Sequence, residues 1–417
     1  MNYRSKTCLV IDNGLFCELA VTLSKSFGKV FYWSPWITAF PKSNQTLIGK
    51  GVPGITRIDD FWGILDEIDL FVFPDVYYGP LQLHLIKLGK RVWGGRMGDD
   101  LELYRDAAKQ HMQSLGMDVG PYAVVTGLDA LRAHLKRHDN QFVKISKTRG
   151  DMETFHAKNY KLIEPRLDDL EHSLGAKKKI MQFVVEEAID NAVECGYDGW
   201  CIDGEFPRGA MTGIEVKDKG YIIKTTTYDK LSDPVRAVND GLASTLRGYN
   251  YRGFISTEVR ATKDGKAYLI DACQRAGSPP NEIYQILVEN WPDILWEGAE
   301  GNIVEPKFAA KWGAELLLIS DWANKNWQAV EFPAKFRENI KLRNMTMIDG
   351  RWYVIPQYDG CPEIGAVVAV GDSMDDAIQN TRKIAESVEG HYIEVVPDAL
   401  DEAKGEIEKL KTFGIEL

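Results

Sequence analysis

The first hundred residues alternate between short apolar segments and longer segments in which apolar residues recur every three to four positions. The segments 7–11, 29–33, 70–74 and 91–93 predict strands, and 15–27 and 81–88 predict helices. Such alternation is typical of a parallel sheet covered by helices, which binds ligands beyond the carboxyl ends of its strands. The turn Asp12-Asn13-Gly14 and the segment 75–78 follow such ends. A tight strand-to-helix turn without a ligand explains Asp12-Asn13-Gly14 equally well.

The next segment carries basic side chains among apolar ones. A helix predicted at 101–115 places Arg105 and Lys109 on one face, because residues four apart are neighbours on a helix. Strands predicted at 119–126 and 141–145 flank a helix at 128–137. Lys144 lies within the second strand, which is otherwise apolar, and the run Ser-Lys-Thr-Arg-Gly follows it at 146–150. This pattern indicates a phosphate site that includes Lys147; a lysine that protects an edge strand is the alternative.

Acidic residues end the strand predicted at 180–187. The backbone beside Glu186 and Glu187 could face an adenine, and Glu194 could accept hydrogen bonds from ribose hydroxyls. Two strands within 213–227 and a helix at 234–246 lead to the stretch that carries the strongest chemical signal.

That stretch, 253–280, predicts a β-hairpin. Apolar and polar residues alternate over 254–262, a turn rich in polar residues includes Asp264-Gly265, and 267–273 is mostly apolar. A ladder centred on this turn places Glu258 and Asp271 directly opposite each other on one face. Paired carboxylates repel each other unless a cation lies between them, and Mg²⁺ accepts carboxylate, phosphate and water oxygens. A solvated hairpin edge with Arg260 and Lys266 as ion-pair partners is the alternative.

Gln274 and Arg275 follow the second acid directly. An acid, an amide and a guanidinium thus fall within five residues at a strand end, and Arg275 could hold a phosphoryl oxygen. After Pro280 the pattern predicts a helix to about residue 289, an apolar segment at 309–320, a hairpin from 345, a strand at 365–370, and helices at 374–388 and 401–411. Ser373 or Asp372 caps the first of these two helices.

Composition excludes several classes of protein. The chain has 417 residues, a formal net charge of −11 and no large Lys/Arg cluster, which argues against a nucleic-acid surface. No run approaches 18 apolar residues, so no membrane span is expected. Six scattered cysteines form no close pair, which suggests neither zinc nor a disulfide framework. Without a signal-peptide pattern at the N-terminus, we expect a cytoplasmic protein. The sequence gives no indication of oligomeric state.

The order of these motifs resembles the ATP-grasp superfamily of ligases over most of the chain, and within it phosphoribosylamine–glycine ligase and its phage-borne relatives. The run 109–116 resembles a Lys-x-x-Met-x-x-x-Gly helix end of that family, and 365–390 resembles the C-terminal domain of purine-pathway members. The resemblance implies an α/β (α+β) ATP-grasp fold with three domains. These are a parallel α/β domain at 1–104, an ATP-grasp domain at 105–334 with a lid at about 118–200, and a small α/β domain at 335–417.

The resemblance also implies ATP together with Mg²⁺ or Mn²⁺ as cofactors, and it assigns roles to particular residues. Arg105, Lys144 and Lys147 would hold ATP phosphates, and Arg275 would stabilise the transferring group. Glu186 and Glu187 would meet the adenine and Glu194 the ribose. Metal ligands would be Glu258, Asp271 and Gln274. The chain departs from the family's first loop, which carries Arg and His for a sugar phosphate, and its loop at 147–151 holds a single glycine.

The expected reaction joins a small-molecule carboxylate to an amine through an acyl phosphate, with release of ADP and phosphate. Because the first loop is altered, an amino-acid or peptide ligase of the same mechanism is an alternative to a purine-pathway enzyme. A nucleotide-binding protein without ligase activity is a second alternative. A nucleophilic Cys195 or Cys201 is the weakest, since no histidine lies nearby in the sequence.

Overall fold

A computed structural model of the protein describes residues 2–35, 44–146, 154–357 and 361–417. Its strands are β1 Thr7–Ile11, β2 Lys29–Trp33, β3 Thr56–Arg57, β4 Leu70–Val72, β5 Val92–Trp93, β6 Tyr122–Thr126, β7 Gln141–Ile145, β8 Thr154–Ala157, β9 Gln182–Glu187, β10 Ala192–Ile202, β11 Gly209–Val216, β12 Gly220–Thr227, β13 Arg252–Thr262, β14 Ala267–Cys273, β15 Trp312–Ile319, β16 Gln328–Val330, β17 Ile340–Leu342, β18 Met345–Ile348, β19 Arg351–Val354 and β20 Glu363–Gly371. Its helices are α1 Cys17–Ser24, α2 Gly79–Lys87, α3 Asp100–Leu103, α4 Arg105–Ser114, α5 Leu128–Leu135, α6 Tyr160–Leu174, α7 Asp233–Gly248, α8 Asn281–Leu287, α9 Trp291–Ala299, α10 Met374–Ala385 and α11 Ala399–Lys411. In the described parts of the chain, no helix combines the length and apolarity that a membrane crossing requires.

The N-terminal region forms the predicted parallel sheet, with strand order β3-β2-β1-β4-β5. The chain runs outward from β1 to β3 on one side and from β4 to β5 on the other, so the strand order reverses between β1 and β4. Asp12 and Asp75 follow these two strands, at the position where sheets of this class bind ligands.

A second, four-stranded antiparallel sheet has the order β6-β9-β7-β8. Leu131 of α5, Leu167 of α6 and Phe183 of β9 are fully buried in its separate core. This small unit lies within the range predicted to form a lid.

The largest sheet has eight strands in the order β14-β13-β10-β11-β12-β15-β20-β17. The predicted metal hairpin, β13 and β14, forms one edge. Near the other edge, β20 pairs with β15 along its length, so residues after 335 extend the same sheet. The three domain boundaries stay a prediction, because one hydrophobic core contains residues from the beginning, middle and end of the chain.

Several elements differ from the sequence prediction for local reasons. The helix predicted at 101–115 is two helices, because Tyr104 has the non-helical angles φ −118° and ψ 69°. The strand predicted from 119 begins at Tyr122, after Gly120 with φ +69° and Pro121, which has no N–H to donate. Helices α6 and α9 were not predicted.

Candidate functional site

The hairpin β13–β14 places Glu258 opposite Asp271, which confirms the predicted pairing. The route to it differs from the prediction. Ala261 to Val259 pair regularly with Ala267 to Leu269, and the register then shifts by one between Val259 and Glu258. Ile270 is the extra residue of this β-bulge, and without it a regular ladder from this turn would place Ile270 opposite Glu258.

Asp271 is surrounded by positive charge. Arg105 Nη1 at the start of α4 donates to Asp271 Oδ2 over 3.1 Å, and the Asp271 side chain is 20% exposed. Burial would raise the pKa of Asp271, but the charges of Arg105, Lys144 and Arg275 outweigh it and lower that pKa. Three cations from different elements therefore keep this carboxylate ionised.

Glu258 has the opposite environment. Burial, followed by the charges of Glu194, Asp271 and Glu215, raises the pKa of Glu258 well above its ordinary value, while Lys144 lowers it. A divalent cation between Glu258 and Asp271 would relieve this repulsion. Two carboxylates fit Mg²⁺, which usually takes one or two of them and completes its shell with phosphates and water. Among the described residues, no group of three or more His, Cys, Asp or Glu side chains is arranged to hold a metal ion. Phosphate and water oxygens would therefore complete the shell of a cation bound by Glu258 and Asp271.

The third predicted metal ligand, Gln274, is placed less favourably. Strand alternation puts Cys273, and not Gln274, on the face that carries Asp271. The Gln274 side chain is 2% exposed, its Nε2 donates to Ala272 O over 3.2 Å, and its Oε1 accepts no hydrogen bond from the described residues. Cys273 is a poor ligand for a hard cation such as Mg²⁺. The two acids are therefore the better-supported part of the predicted metal set.

Lys144 connects the four-stranded sheet β6-β9-β7-β8, which we call the lid sheet after its predicted role, to the predicted metal hairpin. Its Nζ donates to Ile270 O, the carbonyl at the bulge, over 2.8 Å, and lies 3.4 Å from Glu186 Oε1. Lys109 Nζ lies 3.2 Å from the same Glu186 oxygen and donates to Val119 O over 3.0 Å. One buried acid thus holds two buried lysines beside the hairpin. Lys109 shares the face of Arg105 as the spacing predicted, but only the fold shows its link to Glu186.

Arg275 is fixed by Glu102, an acid that the sequence did not assign to the site. Arg275 Nε donates to Glu102 Oε1 over 2.9 Å, and the backbone N–H of Gln274 donates to Glu102 Oε2 over 2.7 Å. Glu102 is 4% exposed and belongs to the short helix α3. The break at Tyr104 therefore separates a helix that holds the end of β14 from the helix that carries Arg105. No local sequence signal identifies Glu102.

The predicted nucleotide-binding residues occupy different surroundings. Glu186 is buried between the two lysines, whereas Glu187 is exposed and its backbone N–H donates to Pro121 O over 3.0 Å. Glu194 is exposed on β10, with its Oε2 3.6 Å from Arg260 Nη1. Lys147 and the loop at 147–151 lie outside the described residues. The adenine, ribose and Lys147 assignments stay predictions.

The first loop is organised around Asp12. Asp12 Oδ2 accepts hydrogen bonds from the backbone N–H groups of Gly14 and Phe16, both over 2.9 Å, and from the Tyr32 hydroxyl over 2.8 Å. Burial and the charge of Asp75 raise the pKa of Asp12 to about 6. Gly14 has φ +111°, and a Cβ there would lie 2.0 Å from Asn344 Oδ1, so this turn needs glycine.

Three solved structures share this architecture. Phosphoribosylamine–glycine ligase from Thermotoga maritima has a TM-score of 0.68 and 14% identity, and the alignment covers 93% of this chain and 98% of that one. Biotin carboxylase from Campylobacter jejuni, in complex with β-γ-ATP, has a TM-score of 0.65 and 14% identity, with 96% and 95% covered. N5-carboxyaminoimidazole synthetase from Staphylococcus aureus, complexed with ADP, has a TM-score of 0.60 and 12% identity, with 91% and 96% covered.

By sequence, the chain matches no family model and no curated protein. Structural similarity at 12–14% sequence identity establishes the fold and does not identify the reaction. The structural similarity extends over more than nine-tenths of each chain. The protein therefore has the ATP-grasp fold that its sequence motifs predicted.

Proposed function

We propose that the protein is an ATP-dependent ligase that joins a carboxylate to an amine. One observation carries the proposal: Asp271, paired with Glu258, is surrounded by the charges of Arg105, Lys144 and Arg275, which come from three separate parts of the chain. Such a group of acids and cations suits phosphoryl transfer, in which positioning and charge neutralisation supply most of the catalysis.

The reaction has two steps. A carboxylate oxygen attacks the γ-phosphorus of ATP, the bond from phosphorus to the β,γ-bridging oxygen breaks, and an acyl phosphate and ADP form. The amine nitrogen then attacks the acyl carbon, the carbon–oxygen bond to phosphate breaks, and the nitrogen gives up a proton. The products are an amide, ADP and phosphate.

The chain's own residues divide this work. Arg105 and Lys144, with Lys147, would hold the phosphates of ATP, and Arg275, fixed by Glu102, would stabilise the transferring group. Glu258 and Asp271 would hold Mg²⁺, which neutralises phosphate charge when bound. Arg105 and Lys144 contact Asp271, Glu186 and the Ile270 carbonyl, so nucleotide binding would exchange these partners for phosphate oxygens. The lid sheet would exclude water, because an acyl phosphate hydrolyses in water.

Phosphoribosylamine and glycine are the first candidate substrates, because the sequence motifs resemble phosphoribosylamine–glycine ligase and a structure of that enzyme has a similar fold. A specific observation favours the second candidate, an amino-acid or peptide ligase. In the first loop, the backbone N–H groups of Gly14 and Phe16 already donate to Asp12, so they are engaged by a carboxylate where a sugar phosphate would need donors. A nucleotide-binding protein without ligase activity is the third candidate.

Trapping of the acyl phosphate tests the proposal without knowledge of the amine. Hydroxylamine replaces the amine and converts an acyl phosphate to a hydroxamate. The protein is incubated with ATP, Mg²⁺, hydroxylamine and single carboxylates, including glycine and other amino acids. We expect one hydroxamate whose formation requires ATP and is lost in Asp271→Asn. Binding of ATP without any hydroxamate would favour the non-ligating candidate.

A further inference from the structure

A second group of acids lies on the sheet face that carries the metal pair. Glu215, Tyr221 and Glu315 are directly opposite one another on β11, β12 and β15. Glu258 pairs with Gly196 on β10. Asp198 of β10 pairs with Met211 of β11, and the same register places Gly196 opposite Gly213. Glu215 is two residues beyond Gly213, so it faces the same side as Glu258.

Glu315 points from this face towards helix α8. Gly313, two residues earlier on β15, shows the direction, because a Cβ there would lie 2.6 Å from Ile283 of α8. The neighbouring helix residue Glu282 accepts a hydrogen bond from Arg343 Nε over 2.8 Å, and Arg343 Nη1 is paired with Glu363. Burial, followed by the charges of Glu282 and Glu363, raises the pKa of Glu315 well above its ordinary value, whereas Arg343 lowers it.

Glu315 is an unsatisfied acid at the centre of this group. It is 0% exposed, and neither of its carboxylate oxygens has a hydrogen-bond partner in the described residues. An unpaired buried carboxylate is costly in free energy, and native proteins keep few such groups. Arg343 Nη2, also buried, has no partner either among the described residues. The cluster thus contains unused acceptors and one unused donor.

The charge of the cluster favours a cation. Two cations face the four acids Glu215, Glu282, Glu315 and Glu363. Arg343 pairs with Glu282 and Glu363, and Lys217 Nζ lies 3.8 Å from Glu215 Oε1. Burial, followed by the charges of Glu194, Glu363 and Asp218, raises the pKa of Glu215 to about 7, against the effect of Lys217. The acids outnumber the cations here as they do at Glu258.

The cluster is close enough to the metal pair to serve one substrate site. Two strand spacings of about 4.8 Å and two residues of about 3.3 Å separate Glu215 from Glu258, or about 12 Å between Cα atoms. Glu215 is also one of the charges that raise the pKa of Glu258. On the far side, the backbone N–H of Asn344, next to Arg343, donates to Gly14 O in the first loop over 2.8 Å. The acids therefore lie between the metal hairpin and the loop that the sequence assigned to a substrate.

We propose that Glu215 and Glu315 form the binding site for the ammonium group of the amine substrate, and that this substrate is a cationic primary amine and not a sugar phosphate. The unused Arg343 Nη2 would donate to a carboxylate, or to a peptide carbonyl, on the same molecule, so an α-amino acid or the N-terminus of a peptide is the chemical class that matches the cluster. This inference rests on the proposed ligase function, and it adds the class of amine to it.

Titration calorimetry with the full-length protein tests the site without turnover. The protein is saturated with Mg²⁺ and a non-hydrolysable ATP analogue and titrated with glycine, L-alanine, ethanolamine and putrescine, with N-acetylglycine as the uncharged-nitrogen counterpart. We expect at least one amine to bind, N-acetylglycine not to bind, and Glu315→Gln and Glu215→Gln each to weaken binding at least tenfold. Glu402→Gln, an exposed acid on α11 that lies 3.7 Å from Lys219, is the matched control and should leave binding unchanged.

The outcomes separate the two proposals. An amine affinity in both Glu→Gln variants equal to that of the wild-type protein, or no amine binding to the wild-type protein, would overturn the site. Amine binding that depends on Glu315 without any hydroxamate or ADP formation would keep the site and remove the ligase function. Glu315→Gln keeps the shape of the side chain and removes the acid, so it should fold; if it does not fold, Glu215→Gln at a partly exposed position carries the test.

Discussion

The ionisation of Asp271 depends on side chains from several elements. Its ordinary pKa would be raised by burial, yet the guanidinium of Arg105 and the ammonium of Lys144 keep it ionised beside a partner, Glu258, whose pKa is raised. Two carboxylates on adjacent strands whose pKa values shift in opposite directions are typical of a functional site. A divalent cation between them would neutralise their charge. The function of the protein should therefore be very sensitive to the charge at residue 271.

Asp271→Asn keeps the size of the side chain and removes its charge. We expect the rate of ADP release to fall by about 10²–10³, the cost of losing one preorganised electrostatic group. Steady-state kinetics at saturating ATP measures the effect. The matched control is Asp264→Asn in the turn of the same hairpin, which should keep the wild-type rate because Asp264 contacts Thr262 and Lys266 within the turn. Full turnover by a folded Asp271→Asn would show that the metal assignment is wrong.

Glu186 holds Lys109 and Lys144 together in a buried position. Glu186→Gln leaves two buried ammonium groups without their anion, so the free energy of unfolding should fall by about 3 kcal/mol. Chemical denaturation checks this value, with the exposed neighbour Glu187→Gln as the control. A saturating ATP analogue should recover part of the loss, because its phosphates supply a new anion to the lysines. An equal loss in both variants would contradict the proposed role of Glu186.

At the scale of elements, the short helix α3 positions the end of β14. Glu102 receives hydrogen bonds from the Gln274 backbone and from Arg275, so this one side chain orients both the strand end and the guanidinium. The arrangement depends on the break at Tyr104, which lets α3 and α4 point in different directions.

Glu102→Gln should therefore impair the chemical step and spare nucleotide binding. We expect kcat to fall roughly 10- to 100-fold, as is usual when a residue that orients a metal or phosphate ligand is lost, while the KM for ATP changes little. Asp106→Asn on α4, whose carboxylate accepts an exposed hydrogen bond from Gln110, is the control. A rise in the KM for ATP with unchanged kcat would assign Glu102 to nucleotide binding instead.

The sequence predicts elements best where the signal is local. Alternation and turn residues are sufficient to predict the hairpin and the parallel sheet, because both follow from the periodicity of consecutive residues. The bulge at Ile270 is not visible in that periodicity, and the same acid pairing was predicted through a regular ladder. The break at Tyr104, the role of Glu102 and the link between Glu186 and Lys109 depend on packing between distant segments, so no local pattern predicts them.

At the scale of the whole molecule, acids that are buried or partly buried lie along one path, from the metal hairpin through Glu215 and Glu315 towards the first loop. Asp12, Glu258, Glu215 and Glu315 all have raised pKa values, with burial as the first cause of each. Buried acids of this kind lower the free energy of unfolding, which is a common property of functional sites. It also makes the stability of the free protein depend on pH.

Asp12 and Glu215, with pKa values of about 6 and about 7, give this dependence its sign. Between about pH 4.5 and pH 7 the native state keeps protons that the unfolded chain has released, so the free energy of unfolding falls as pH rises through this window. The slope is at most about 1.4 kcal/mol per pH unit for each group. Denaturation from pH 4.5 to pH 7.5 measures it, and Glu215→Gln should flatten the upper part. Stability that rises across the window would contradict these shifts.

We propose that this ATP-grasp fold ligates a carboxylate to an amine. The most direct measurement is ADP release in the presence of ATP, Mg²⁺ and glycine, with and without phosphoribosylamine, and then with pairs from a panel of amino acids. We expect ADP release that requires both an acid and an amine and that is greatly reduced in Asp271→Asn. If the protein binds ATP and no pair stimulates ADP release, the claim of ligation is contradicted.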